Sequence, residues 1–165
     1  MLRFFAPHYR VHSVSDLTLP RLAEMGLDAL LLDADCTLKR YACEDCTPEA
    51  AAWLETVRAG GIGLCLISNG RRERIGRFAA KLDLPFVAKA LKPLPCGCRR
   101  AVRQMGFPPS RTAIVGDQLF ADVLAGRLAR LTTILVDPIY PEEEHFWTRL
   151  KRPPERWLLR RLTKV

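Results

Sequence analysis

Long apolar runs are absent from this sequence. Stretches such as Ala29 to Leu32, Ala50 to Leu54 and Leu64 to Ile67 stop after four or five residues, whereas a membrane-spanning helix needs about 20, so no span is expected. Only 10 glycines and 12 prolines occur among 165 residues, without internal repeat or low-complexity tract, which excludes a collagen, a coiled coil or a disordered chain. The start, MLRFFAPHYR, offers only Phe4, Phe5 and Ala6 before a proline and no small-residue cleavage pattern. Lacking a secretory signal, the chain is expected in the cytoplasm. What is present suits one globular domain: 48% hydrophobic and 27% charged residues, at a length that buries a core without staples. A single domain over residues 1–165 is expected, with a core at about 28–137, a lead-in at 1–27 and a tail at 138–165.

Acids are also scarce: 18 against 26 Lys and Arg, a net charge of +8. The imbalance is local, because His145 to Val165 carries seven Lys or Arg against Glu155 alone. Such an end points to an acidic partner, for example an anionic membrane surface, rather than to a nucleic-acid groove across the domain. On a helical wheel Leu158, Leu159, Leu162 and Val165 share one arc, while Arg156, Arg160, Arg161 and Lys164 share the opposite one with Trp157 beside them. With Trp147, Leu2, Phe4 and Phe5 this segment could meet an anionic surface; the alternative is that its apolar arc packs on the domain. A helix over Glu155 to Val165 falls short of the ~12–15 residues at which isolated helices become marginal, so it must dock on something.

Apolar runs alternate with helical patterns. Strands are expected at Asp28 to Asp33, Ile62 to Ser68, Pro85 to Val87, Thr112 to Gly116 and Thr132 to Val136. Helices are expected from Thr47, an N-cap followed by Pro48, to Gly60, and over Arg71 to Leu82, Pro95 to Met105 and Gln118 to Ala129, with a lead-in helix over Ser15 to Gly26. Aliphatic strands separated by helices imply a doubly wound, Rossmann-like α/β fold, a parallel sheet with helices on both faces.

In such a sheet ligands bind beyond the carboxyl ends of the strands. There the sequence places Asp33-Ala34-Asp35-Cys36-Thr37-Leu38, Ser68-Asn69-Gly70, and Gly116-Asp117 with Asp122 five residues on. Converging carboxylates repel unless a cation neutralises them, and oxygen ligands without His or Cys suit Mg²⁺. Two acids one residue apart let one attack while the other transfers a proton. Thr37 and Ser68 offer donors and Lys92, before Pro93, a fixed charge, which together suit a transferring phosphoryl group.

Asp33-x-Asp35-x-Thr37-Leu38, the strand ending in Ser68-Asn69, Lys92-Pro93 and Gly116-Asp117-x-x-x-x-Asp122 resemble, in order and spacing, the four motifs of the haloacid dehalogenase-like phosphohydrolases over roughly residues 10 to 138. The chain looks most like their class IIIA, YqeG-type branch, related to phosphatidylglycerophosphate phosphatases, through His12-Ser13-Val14-Ser15-Asp16-Leu17, Gly116-Asp117-Gln118-Leu119 and Thr132 to Pro138. The resemblance implies a Mg²⁺-dependent phosphatase in which Asp33 is the nucleophile and Asp35 the general acid and base. Metal would be held by Asp33, the Asp35 carbonyl and Asp117, with Asp122 in support. Thr37, Ser68, Asn69 and Lys92 would hold phosphate. Ala34 and Cys36 depart from the commoner residues of the first motif without supplying its chemistry.

Between Asp33 and Ser68 lie 34 residues and between Ser68 and Lys92 lie 23, each largely used by one helix. No cap domain fits, so a large substrate that closes the site itself is favoured: a lipid headgroup, a protein or a nucleic-acid end. Phosphatidylglycerophosphate at a membrane surface is the leading candidate. A soluble nucleotide, sugar or protein phosphate, or a non-catalytic RNA- or protein-binding role, are the alternatives. Cys43-x-x-Cys46 and Cys96-x-Cys98 could together hold Zn²⁺, against free thiols or a redox pair. His8, His12 and His145 read as structural or surface residues.

Overall fold

A computed structural model describes residues 5–41, 43–143 and 146–162. Six parallel strands are ordered β1-β6-β5-β2-β3-β4: β1 (Tyr9–Val11), β2 (Ala29–Leu32), β3 (Gly63–Ile67), β4 (Phe86–Val87), β5 (Thr112–Gly116) and β6 (Thr132–Val136). The helices are α1 (Leu19–Glu24), α2 (Pro48–Ala59), α3 (Arg72–Leu82), α4 (Cys96–Met105), α5 (Leu124–Ala129) and α6 (Phe146–Leu162). The fold is the doubly wound one expected, and among the described residues no cap covers the sheet.

Every residue of β2 is buried, because strand alternation sends its side chains to two covered faces. Leu30 and Leu32 join Trp53, Val57, Ile75 and Phe78 of α2 and α3 on one face. Leu31 joins Cys65, Ile114, Ala101 and Ala125 beneath α4 and α5 on the other. Helix α2 starts as expected, with Thr47 Oγ1 accepting from the Ala50 amide at 3.2 Å and Pro48 at its first turn.

Three segments depart from the expected elements. The lead-in contributes β1, which pairs with β6 from Tyr9 opposite Ile134 to Val11 opposite Val136. Its single helix is split: a 3-10 turn at Val14–Asp16 is closed by Asp16 accepting from the His12 and Ser13 amides, and α1 starts afresh at Leu19. The expected helix from Gln118 opens as a π-helical turn, Leu119–Val123, with the Val123 amide reaching the Gln118 carbonyl at 3.3 Å, before α5.

The tail helix is longer than its wheel suggested and contains Pro153 and Pro154. Leu158 is buried with Leu119, Val123 and Leu135, and Phe5, Phe120 and Leu159 pack around them. Glu155 Oε1 accepts from the Phe120 amide at 2.9 Å. Thus Leu158 and Leu159 dock on the domain, while Arg156, Trp157, Arg160 and Arg161 face outward. Leu2, Phe4, His145, Lys164 and Val165, and the side chains of Trp147 and Leu162, lie outside the described residues. No described helix is long and apolar enough to cross a membrane.

Candidate active site

The strand order turns at the β2–β5 pair: β3 and β4 extend to one side, β6 and β1 to the other. A crevice opens at such a switch point, and there Asp33 follows β2, Asp117 follows β5 and Ser68 follows β3. An open cleft of about 300 Å³ is lined by Asp33, Asp35, Ser68, Asn69 and Lys92 among others. Asp33, Asp117 and Asp122 are buried and offer carboxylate oxygens within 4.8 Å of one another.

Lys92 ties this cluster together. Its Nζ donates to Asp33 Oδ1 and Asp122 Oδ1, each at 2.6 Å, and to the Ile67 carbonyl at 3.2 Å. Burial disfavours the ammonium, but Asp122 and Asp33 outweigh it and hold Lys92 charged beyond its ordinary range. For Asp33 burial is the largest influence and, with Asp122, Asp117 and Asp35 nearby, it overrides Lys92 and pushes the carboxyl well above its usual value. Asp122 is held from its other side, Oδ2 accepting from the Gln118 amide at 3.0 Å. Its approach to β5 requires Gly116, where an added Cβ would lie 2.3 Å from Asp122 Cγ. The three acids and one lysine leave a formal charge of −2, with oxygen donors alone. A hard divalent cation such as Mg²⁺ fits this set, relieving the repulsion that crowding creates.

Asp35 has different partners. Arg74 grips it with Nη1 to Oδ1 at 2.8 Å and Nη2 to Oδ2 at 2.6 Å, and Lys39 Nζ lies 2.8 Å from Oδ1. Burial raises its pKa, but these bonds and charges win and hold it below the ordinary carboxylate range. Cys36, next in the loop, adopts a left-handed φ of 61°. Thr37 Oγ1 donates to Asp117 Oδ1 at 3.3 Å. Ser68 Oγ accepts from the Gly70 amide at 3.1 Å. Asn69 braces the lysine loop, Nδ2 donating to the Lys92 carbonyl at 2.9 Å and Oδ1 accepting from the Lys92 amide at 2.8 Å.

The motif residues therefore converge, with Asn69 at the cleft bonding its amide to the Lys92 backbone. Sequence reasoning missed Arg74 and Lys39, which lie on a polar helix face and in a loop and meet Asp35 only through the fold. The structure does not bring together the four cysteines expected to hold zinc. Among the described residues the four sulfurs form no metal-binding group. Cys98, on the face of α4 that meets the sheet, is buried, Cys46 Sγ donates to the Leu38 carbonyl at 3.1 Å, and burial pushes their thiols up to about 12 and 11.

This parallel sheet, with a lysine-bridged acid cluster at its switch point, defines a class of hydrolase, and comparison with known proteins identifies it. The haloacid dehalogenase-like hydrolase family matches residues 14–130, and the chain belongs to that family. It is 33% identical over 162 residues to the probable phosphatase YqeG of Bacillus subtilis, covering 98% of this chain and 94% of that one. A phosphoserine phosphatase of Thermus thermophilus is 33% identical over 99 residues, 54% of this chain and 40% of that one. The cobalt-bound deoxy-D-mannose-octulosonate 8-phosphate phosphatase of Haemophilus influenzae shares the fold at 16% identity, with a TM-score of 0.53 over 68% of this chain and 69% of that one. The chain is a phosphatase of this family.

Proposed function

We propose that the chain is a Mg²⁺-dependent phosphomonoesterase working through an aspartyl-phosphate on Asp33, with phosphatidylglycerophosphate as its substrate. The observation that carries the chemistry is the buried acid cluster left two charges short of neutrality beside Lys92. Mg²⁺, held by Asp33, the Asp35 carbonyl and Asp117 with Asp122 in support, would supply Lewis-acid stabilisation of the phosphoryl oxygens.

The residues divide the rest. An Asp33 oxygen bonds to phosphorus as the ester P–O bond breaks, and Asp35 gives its proton to the departing alcohol. Asp35 then takes a proton from the water that attacks the acyl phosphate, releasing inorganic phosphate and restoring Asp33. Its ionised state beside Arg74 and Lys39 suits the second step; donation in the first requires the carboxyl to leave Arg74. Lys92, Thr37 and Ser68 would orient the phosphoryl oxygens, with Asn69 keeping the lysine loop in place.

An uncapped cleft favours a substrate presented at a surface, and the outward Arg156, Arg160 and Arg161 offer cations to anionic lipid. The docking of Leu158 favours peripheral contact through these charges over insertion of the apolar arc. Phosphate release from phosphatidylglycerophosphate in mixed micelles tests the reading. That release should require Mg²⁺ and be lost in Asp33→Asn. Turnover confined to soluble esters would keep the mechanism and discard the lipid.

A further inference from the structure

Beside the acid cleft lies a second groove of about 520 Å³ that the chemistry above does not use. Its wall carries Lys39, Arg71, Arg74, Arg77 and Lys81, with Glu44 and Glu73 as the acids, an excess of three positive charges. Tyr41 lines both spaces. Arg74 also joins them, facing the groove while it grips Asp35 at the edge of the cleft. The two spaces are therefore neighbours across one tyrosine and one arginine. From these observations we propose that the groove is a subsite for a second phosphate of the substrate, a phosphodiester or second phosphoryl group borne by the alcohol that leaves.

The cations are poised for exchange. Arg77 meets Glu44 at 3.7 Å with both side chains about 70% exposed, and Lys81 meets Asp45 at 2.6 Å, Asp45 being 79% exposed. Such solvent-exposed pairs contribute little and yield to a better anion. Arg71, the residue capping α3, has no acidic partner among the described residues. Arginine forks match phosphate oxygens in paired hydrogen bonds. Lys39 is different: buried, it donates to the Cys43 carbonyl at 2.8 Å, and its Nζ lies over the Phe78 ring at 5.6 Å. It fixes the inner end of the groove while the arginines at the rim meet the ligand. A substrate with one phosphate leaves this surface idle. One with two gains contacts in the ground state and in the transition state alike, which lowers KM more than it raises kcat.

The inference rests on the phosphomonoesterase reading, and the test separates the two. Three substrates are compared: phenyl phosphate, with one phosphate; the deacylated headgroup glycerophosphoglycerol phosphate, with a monoester and a diester; and micellar phosphatidylglycerophosphate. Wild type should favour the headgroup over phenyl phosphate by about tenfold or more in kcat/KM, chiefly through KM, and lose that preference as salt rises. In the Arg71→Ala/Arg77→Ala double variant the headgroup should lose about tenfold and phenyl phosphate under about threefold, with the micellar lipid following the headgroup. Arg103→Ala, on the exposed side of α4, serves as the control for general loss of positive charge. Equal losses on all three substrates, or a loss confined to the micellar lipid, would overturn the subsite. If wild type hydrolyses none of them, the phosphatidylglycerophosphate reading fails by itself. Calorimetric titration of the headgroup and phenyl phosphate into Asp33→Asn protein then decides the groove. Tighter headgroup binding that disappears with Arg71→Ala/Arg77→Ala upholds it, and equal binding of the two overturns it.

Discussion

Asp33 and Asp35 stand two positions apart on one loop, yet their surroundings oppose each other. Asp33 is buried among Asp117 and Asp122 with one shared ammonium, and its carboxyl is pushed up. Asp35 faces a guanidinium and a second ammonium and is pushed down. Environment, not residue type, separates the two: one acid is set where a cation must be recruited, the other where cations are already supplied. The two surroundings thus push identical side chains in opposite directions.

The comparison can be broken at either acid. Asp33→Asn removes the attacking oxygen and should lower phosphate release by ~10⁴-fold or more, with the fold intact by circular dichroism; retained activity would deny Asp33 its role. Lys92→Ala strands Asp33 and Asp122 without their shared cation, and should cost about 3–5 kcal/mol in urea denaturation. Added Mg²⁺ should restore part of that loss by binding the folded state. Gly116→Ala forces Asp122 from β5, a crowding cost of about 1–3 kcal/mol, and should weaken Mg²⁺ binding measured by calorimetry. Arg74→Ala has the smallest expected effect, about tenfold in kcat, less than the ~10²–10⁴-fold that a positioned proton donor contributes, because Asp35 itself remains. Because Arg74 holds the Asp35 carboxyl low, its removal moves the Asp35 titration up, so the acidic limb of the kcat profile shifts to higher pH. An unchanged limb would mean that Arg74 does not set the state of Asp35.

Much of this arrangement was legible in the sequence. Strands buried on both faces read as unbroken aliphatic runs, and Asp33, Ser68 and Asp117 announced themselves by standing where those runs end. What was hidden depends on long-range geometry. The three residues of β1 alternate too briefly to signal a strand and are fixed by pairing with β6. The π-helical turn that aims Asp122 at Lys92 has the same helical periodicity as an α-helix at this length. Arg74 looks like any solvated charge on α3 until the loop after β2 is laid against it. Cys43-x-x-Cys46 and Cys96-x-Cys98 suggested zinc by spacing alone, but among the described residues the fold does not gather their sulfurs into one group.

The division of labour between the two acids is most directly tested by acid-quenching single turnovers of Asp33→Asn and Asp35→Asn with radiolabelled substrate and Mg²⁺. The account predicts phosphate covalently retained on Asp33 in Asp35→Asn, released by hydroxylamine, and none retained in Asp33→Asn. Turnover by wild type with no label retained in Asp35→Asn, or label carried by another residue, would contradict it.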